Sequence, residues 1–213
     1  MAMPHPLRDG IGHADVPLLS LLLIIACLVV PAPAHAEVPP QEPGVTLRTY
    51  DVQVELSRLC TLKPGQTPNV DKLMPTIDWT SDADFGLTDM FVTEAVGNIS
   101  IPAAGTYEFR LTSDDGSRLR IDDTVVITND GRHGPISVDG TITLTAGYHA
   151  LRVDHFEHLY GQQLKLEWKP PGASAFAVVP SSVLSTDADV VRVTAPGRKE
   201  CESGADSPAT GCR

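Results

Sequence analysis

Leu111-Thr-Ser-Asp114-Asp115-Gly116-Ser-Arg-Leu119-Arg-Ile121-Asp122 is the stretch that decides the fold. An alternating strand runs into two adjacent carboxylates and a glycine, and a second alternating strand follows. Successive side chains on a strand point to opposite faces, so neighbouring aspartates share a ligand only where the backbone between them bends hard. A hard cation such as calcium, which gathers carboxylate and carbonyl oxygens, rewards such a bend. The plainer reading is a polar hairpin turn, because Asp-Gly is a strong turn signal. The residues alone leave both readings open.

Outward from this hairpin the hydrophobic period stays at two. Tyr107, Phe109 and Leu111 alternate with Glu108, Arg110 and Thr112. Leu119 and Ile121 alternate with Arg118, Arg120 and Asp122, and Thr124 to Thr128 is β-branched throughout. Ile142 and Leu144 sit among threonines before Ala146-Gly147; His149, Leu151 and Val153 oppose Ala150, Arg152 and Asp154. Leu164, Leu166 and Trp168 oppose Lys165, Glu167 and Lys169, and Pro170-Pro171-Gly172 stops that strand. Many short strands separated by turns predict an all-β, antiparallel β-sandwich with a barrel-like core in a single domain. No comparable stretch has helical spacing and caps, which excludes an α/β enzyme scaffold. Leu56 to Pro75 reads as a long proline-studded connection, with one short helical turn expected around Val70 to Met74. Asn98-Ile-Ser100 is a glycosylation sequon only on paper.

The ends read differently. Residues 1–36 have the form of a secretory leader: basic Arg8, an apolar core from Pro17 to Val30, and Ala34-His-Ala36 before Glu37. The core is shorter than the ~20 residues of a spanning helix, so cleavage is expected, with no stable membrane insertion afterwards. Ile24-Ile-Ala-Cys27 loosely resembles a lipoprotein box, but the run stays apolar past Cys27. Residues 37–44 form a proline-rich linker needing no structure, 45–184 the folded domain, and 185–213 a short strand at Val190 to Val193 with a polar tail. A formal net charge of −11 excludes nucleic acid as partner and suits an exported chain, extracellular or periplasmic. Past the leader lie Cys60, Cys201 and Cys212. Export permits a disulfide, either Cys201 with Cys212 or Cys60 with one of those two, and an odd count leaves the pairing open. No spacing matches structural zinc.

Taken together, these pieces resemble the protective-antigen-type (PA-fourteen) domain of bacterial toxins, glycosidases and fungal adhesins. The resemblance rests on Gly97-Asn-Ile-Ser-Ile-Pro102, Gly105-Thr-Tyr-Glu-Phe109 and Ser113-Asp-Asp-Gly-Ser-Arg-Leu119 with Ile121-Asp122. Asn129-Asp130-Gly131, Leu144-Thr-Ala-Gly147, Leu151-Arg-Val153, Leu164-Lys-Leu-Glu-Trp168 and Pro180-Ser-Ser-Val-Leu184 extend it over roughly residues 45 to 184. It implies a β-sandwich and calcium-dependent carbohydrate binding, with Asp114 and Asp115 joined by a cis peptide and both ligating the ion. Sugar hydroxyls complete the coordination in such domains. Relatives add an asparagine from a later loop; the corresponding Glu157-His-Leu-Tyr160-Gly161-Gln-Gln163 has none, and Glu157, Gln162 or backbone carbonyls are the available substitutes.

Other candidates are weaker. His149 and His155 share a strand face but lie ~20 Å apart at ~3.3 Å per residue, so with His133 and His158 they read as solvated or hydrogen-bonded side chains rather than a zinc site. Asp122, Asp123, Asp130, Asp154 and Glu157 are numerous enough for a glycosidase pair, but none is marked as a buried acid, and there is no Gly-x-Ser-x-Gly elbow. Tyr107, Phe109 and Trp168 read as core. Tyr160, in a polar loop, is the better sugar-stacking candidate, ahead of Tyr148. Gln162, Asn129 and Asp130 are expected to offer hydroxyl contacts, although Asn129-Asp-Gly131 reads equally as a turn. The expectation is a non-catalytic module binding glycan or polysaccharide with calcium at Asp114 and Asp115. The alternative is an adaptor that docks to a protein partner.

Overall fold

The computed structural model describes residues 39–202; the leader, Cys27 and Cys212 lie outside the described residues. Thirteen strands follow in chain order: β1 (Gln41–Pro43), β2 (Val45–Asp51), β3 (Val70–Met74), β4 (Asp78–Trp79), β5 (Phe91–Ile101), β6 (Gly105–Asp114), β7 (Ser117–Ile121), β8 (Thr124–Asn129), β9 (Ile136–Leu144), β10 (Gly147–Glu157), β11 (Gln163–Lys169), β12 (Ala177–Val178) and β13 (Leu184–Asp187). One helical turn, α1 (Asp82–Phe85), separates β4 from β5.

The strands form two antiparallel sheets. Eight build the larger: β8, β7, β10 and β5 run side by side, and the far edge of β5 is shared by β2 (leading to β3) and β13 (leading to β1). Gly97 lies where these partners meet, and a Cβ there would stand 2.6 Å from the Ser185 carbonyl. The smaller sheet is β12–β11–β6–β9, with β4 also on β11. Their inner faces supply the alternating residues the sequence marks: Leu119, Ile121, Leu151 and Val153 from one side, Phe109, Leu111, Leu164 and Leu166 from the other. Tyr107 and Trp168 stack with ring centroids 5.7 Å apart in this core. The sandwich is as predicted, but the sheets do not close into a barrel.

Three local expectations need correction. Val70–Met74 is a strand on β2, not a helical turn; five residues are too few to show a period of their own, and pairing decides it. Gln41–Pro43, within the supposed linker, pairs with β13. Prolines survive there because β1 is an edge strand and lacks a second neighbour. The predicted strand at Val190 to Val193 does not form: Arg192 turns inward to Glu42, while Val191 and Val193 are exposed.

A second, smaller core joins Val52, Leu56, Leu59, Val92 and Phe156 around the Cys60–Cys201 disulfide. That bridge settles the open pairing and fixes Cys201, expected to begin a mobile tail. The residues on either side of Cys201 are laced to the 56–69 connection by Lys63 N–H to Glu200 O and Glu202 N–H to Thr61 O. The bridge spans 141 residues of sequence, so it removes much freedom from the unfolded chain. Replacing both cysteines by serine should cost about 2–5 kcal/mol, read from denaturant unfolding.

The β7–β8 turn has its own electrostatic latch. Asp122 and Asp123 both take positive φ, as a two-residue type I′ hairpin requires. Asp122 bonds the His149 Nδ1 and the Ala150 N–H, while His149 Nε2 faces the Thr145 carbonyl 3.0 Å away. Both ring nitrogens face acceptors, so the imidazolium fits best, and the Asp122 hydrogen bond raises the His149 pKa. A raised histidine stabilises fully below its ordinary value near 6.5 and loses that contribution as pH climbs through the raised one. The stability advantage of wild type over Asp122→Asn should therefore be largest in mild acid and shrink on moving to alkaline pH, as measured by urea unfolding.

Candidate metal and ligand site

Asp114 ends β6, and the Asp114–Asp115 peptide is cis. Gly116 follows because nothing larger fits: a Cβ would lie 2.5 Å from Phe156 and 2.8 Å from the Gly131 nitrogen. Behind the bend, the Ser113 and Ser117 hydroxyls stand 2.7 Å apart, and Asn129 Nδ2 donates to the Ser113 oxygen at 3.0 Å. Phe156 N–H donates to the Gly116 carbonyl at 2.9 Å, drawing β10 against the bend.

His155 holds the other side. It is fully buried, stacked on Phe85 with centroids 5.3 Å apart, and its Nε2 lies 2.9 Å from the Asp114 carbonyl. A carbonyl only accepts, so Nε2 carries the proton. Burial lowers the His155 pKa to about 4, so the ring is neutral at physiological pH. It positions backbone and is not a metal ligand in company with His149, which is tied to Asp122.

Asp115 is buried and pins two loops. Its Oδ1 accepts the His133 N–H at 2.8 Å and its Oδ2 the His158 N–H at 2.9 Å. One bond reaches the β8–β9 loop and the other the β10–β11 loop. Each oxygen retains a lone pair for a further partner.

Glu157, the last residue of β10, completes the cluster. One oxygen from each of Asp114, Asp115 and Glu157 lies within 4.8 Å of the others. Glu157 is fully buried, and both its carboxylate oxygens lack a hydrogen-bond partner. Burial first, then the charges of Asp115, Asp114 and Asp89, push its pKa up to about 9. Asp114 is likewise raised, by burial and then by Asp115. Buried polar groups are normally paired, so two orphaned oxygens beside two more carboxylates make these three the residues that could hold a cation. All donors are hard oxygens, which fits calcium in preference to zinc or copper.

The remaining expected contacts are placed unevenly. Tyr160 is 90% exposed at positive φ, its N–H held by Asp89 at 3.0 Å. It neighbours Gly161, whose Cβ position lies 3.9 Å from the Asp114 carboxylate. Tyr148 begins β10, at the opposite end from Glu157. Two candidates, Gln162 and Asn129, need revision as hydroxyl contacts. Gln162 is buried, its amide donating to Asp82 of α1. Asn129 is buried, its amide holding Ser113 and the Ile136 carbonyl. Asp130 accepts the Leu59 and Gly131 N–H groups. Among the former glycosidase candidates, Asp154 is bound by Arg118 and Arg152.

The profile of the PA14 domain matches residues 41–182. The chain belongs to the PA14 domain family. Among solved structures, the PA14 domain of the MpAFP antifreeze protein superimposes with a TM-score of 0.61 at 18% identity, covering 73% of this chain and 96% of that one. The PA14 sugar-binding domain from an RTX adhesin gives 0.57 at 21%, covering 68% and 98%. The Epithelial Adhesin 9 A domain from Candida glabrata, in complex with Galb1-3GlcNAc, gives 0.53 at 13%, covering 72% and 95%. At these identities the likeness shows the PA14 fold. No curated protein matches the chain.

Glu157 yields a signed prediction. Its folded-state pKa lies far above its unfolded value, so the native state binds the extra proton, and stability falls as pH rises between the two. In the presence of a chelator, Glu157→Gln should raise the melting temperature at pH 8 and flatten its decline between pH 5 and about 9.

Proposed function

We propose that this PA14 domain is an exported, non-catalytic carbohydrate-binding module that grips sugar hydroxyls through a calcium ion held by Asp114, Asp115 and Glu157. The observation that carries the reading is Glu157, a buried carboxylate with two unpartnered oxygens beside two aspartates. Calcium would supply positive charge for the cluster and open coordination positions for vicinal hydroxyls. Glu157 takes the place of the asparagine missing from the 157–163 loop. Asp115 keeps both flanking loops in register through the His133 and His158 amides, and Tyr160 offers an exposed ring beside the cluster for stacking on a sugar face.

Support for sugar as the ligand comes from the PA14 family and from structural neighbours that are a sugar-binding domain and a sugar complex. Export is supported by the leader-like first 36 residues and by a disulfide, which persists in oxidising compartments. Among the described residues, no helix is long and apolar enough to cross a membrane.

Calcium at one hundred times its dissociation constant should raise the melting temperature by about 5–10 °C. Asp115→Ala and Glu157→Gln should each abolish that shift. On a glycan array, wild type should retain neutral oligosaccharides with calcium and lose them with chelator, while Tyr160→Ala weakens retention without changing the calcium shift. A calcium shift beside a blank array, with a protein captured instead, would replace this reading by the adaptor role.

A further inference from the structure

The outer face of the larger sheet carries an arginine that the fold does not use. Arg120 on β7 stands directly opposite Arg152 on β10, and like charges so placed repel. Arg152 is neutralised: its Nε donates to Asp154 at 2.6 Å and an Nη to Glu94 at 2.6 Å. Arg118 takes the other Asp154 oxygen at 3.2 Å. Among the described residues, Arg120 has no such carboxylate, and its Nε is buried without an acceptor.

The backbone presents this side chain. Leu119 pairs with Ile127 but Arg120 with Val125, which leaves Val126 as the extra residue of a β-bulge. Bulges bend a strand and re-aim its side chains. Here the result is a surface pocket of about 270 Å³ lined by Arg120, Asp123, Ala150, Leu151 and Arg152. One planar guanidinium with a vacant donor edge matches a single oxyanion. Asp123 lines the pocket, Glu94 and Asp154 hold the neighbouring Arg152, and the chain carries a net charge of −11. Contiguous phosphates would therefore be repelled, whereas an isolated acidic group on an otherwise neutral polymer would not.

We propose that this pocket is a second subsite for the carboxylate or sulfate group of an acidic polysaccharide, with Arg120 as its binding residue. The proposal rests on the glycan-binding reading and extends it to charged polymers. Arg120 lies roughly 10 Å along β7 from Ser117, the residue after the Asp114–Gly116 bend.

The test uses the isotope-labelled folded chain. Sodium sulfate and sodium glucuronate, added separately at constant ionic strength, should shift the Arg120 Nε–H resonance saturably at millimolar concentration, in chelator as well as in calcium. Absence of that shift overturns the proposal. On immobilised polygalacturonate and dextran sulfate, Arg120→Gln should weaken retention about tenfold, and Arg120→Lys should recover part of it. Retention of neutral dextran oligosaccharides should not change. Equal retention of wild type and Arg120→Gln on both acidic polymers would also overturn it, and preference for one polymer assigns uronate or sulfate as the source. Asp115→Ala should remove calcium-dependent neutral-sugar binding and leave the sulfate shift intact, so failure of the calcium reading and failure of this one give different results. Unchanged unfolding midpoints for the Arg120 variants confirm that they fold.

Discussion

Burying Glu157 against Asp114 and Asp115 is the constraint on which the site depends. A lone carboxylate removed from water is expensive, and the charges of Asp115 and Asp114 raise that penalty. The protein has two ways to hold such an arrangement. A proton on Glu157 neutralises part of it, consistent with a pKa near 9. A divalent cation neutralises more and uses all three donors together. Beside the cluster, His155 is kept uncharged by burial, and Phe85 and Phe91 pack its ring.

The same residues organise the surrounding loops. Asp115 accepts backbone amides from two connections that are distant in sequence, so the carboxylate is both a ligand candidate and a structural tie. Asp130 and Arg132 attach the β8–β9 loop to Leu59 and Leu56. Those residues belong to the small core closed by Cys60 and Cys201. Asn129 and Gln162 are thus buried around the site, while Tyr160 and Asp130 are exposed.

Much of this was legible in the sequence. Alternation along Tyr107–Leu111, Leu119–Ile121 and Leu164–Trp168 has one interpretation when one face is buried, so those strands and the sandwich could be read directly. The Asp114-Asp115-Gly116 signature pointed to two members of the carboxylate cluster. Glu157 was visible only as a substitute for a missing asparagine, because its burial depends on β10 meeting β5 and the bend at Gly116. Val70–Met74 and Gln41–Pro43 became strands through partners supplied by β2 and β13, which no local pattern encodes. The amides of His133 and His158 carry no sequence signal, since any residue provides an N–H. The polar character of Asn129 and Gln162 read as ligand chemistry, yet both amides are committed to acceptors within the fold.

A crystal structure grown with calcium, with anomalous data collected to locate the ion, tests the central claim most directly. The account predicts one calcium peak bounded by oxygens of Asp114, Asp115 and Glu157, with the His133 and His158 amides still on Asp115. A cluster free of anomalous signal at saturating calcium, with Glu157 hydrogen-bonded as a neutral acid to one of the aspartates, would contradict it.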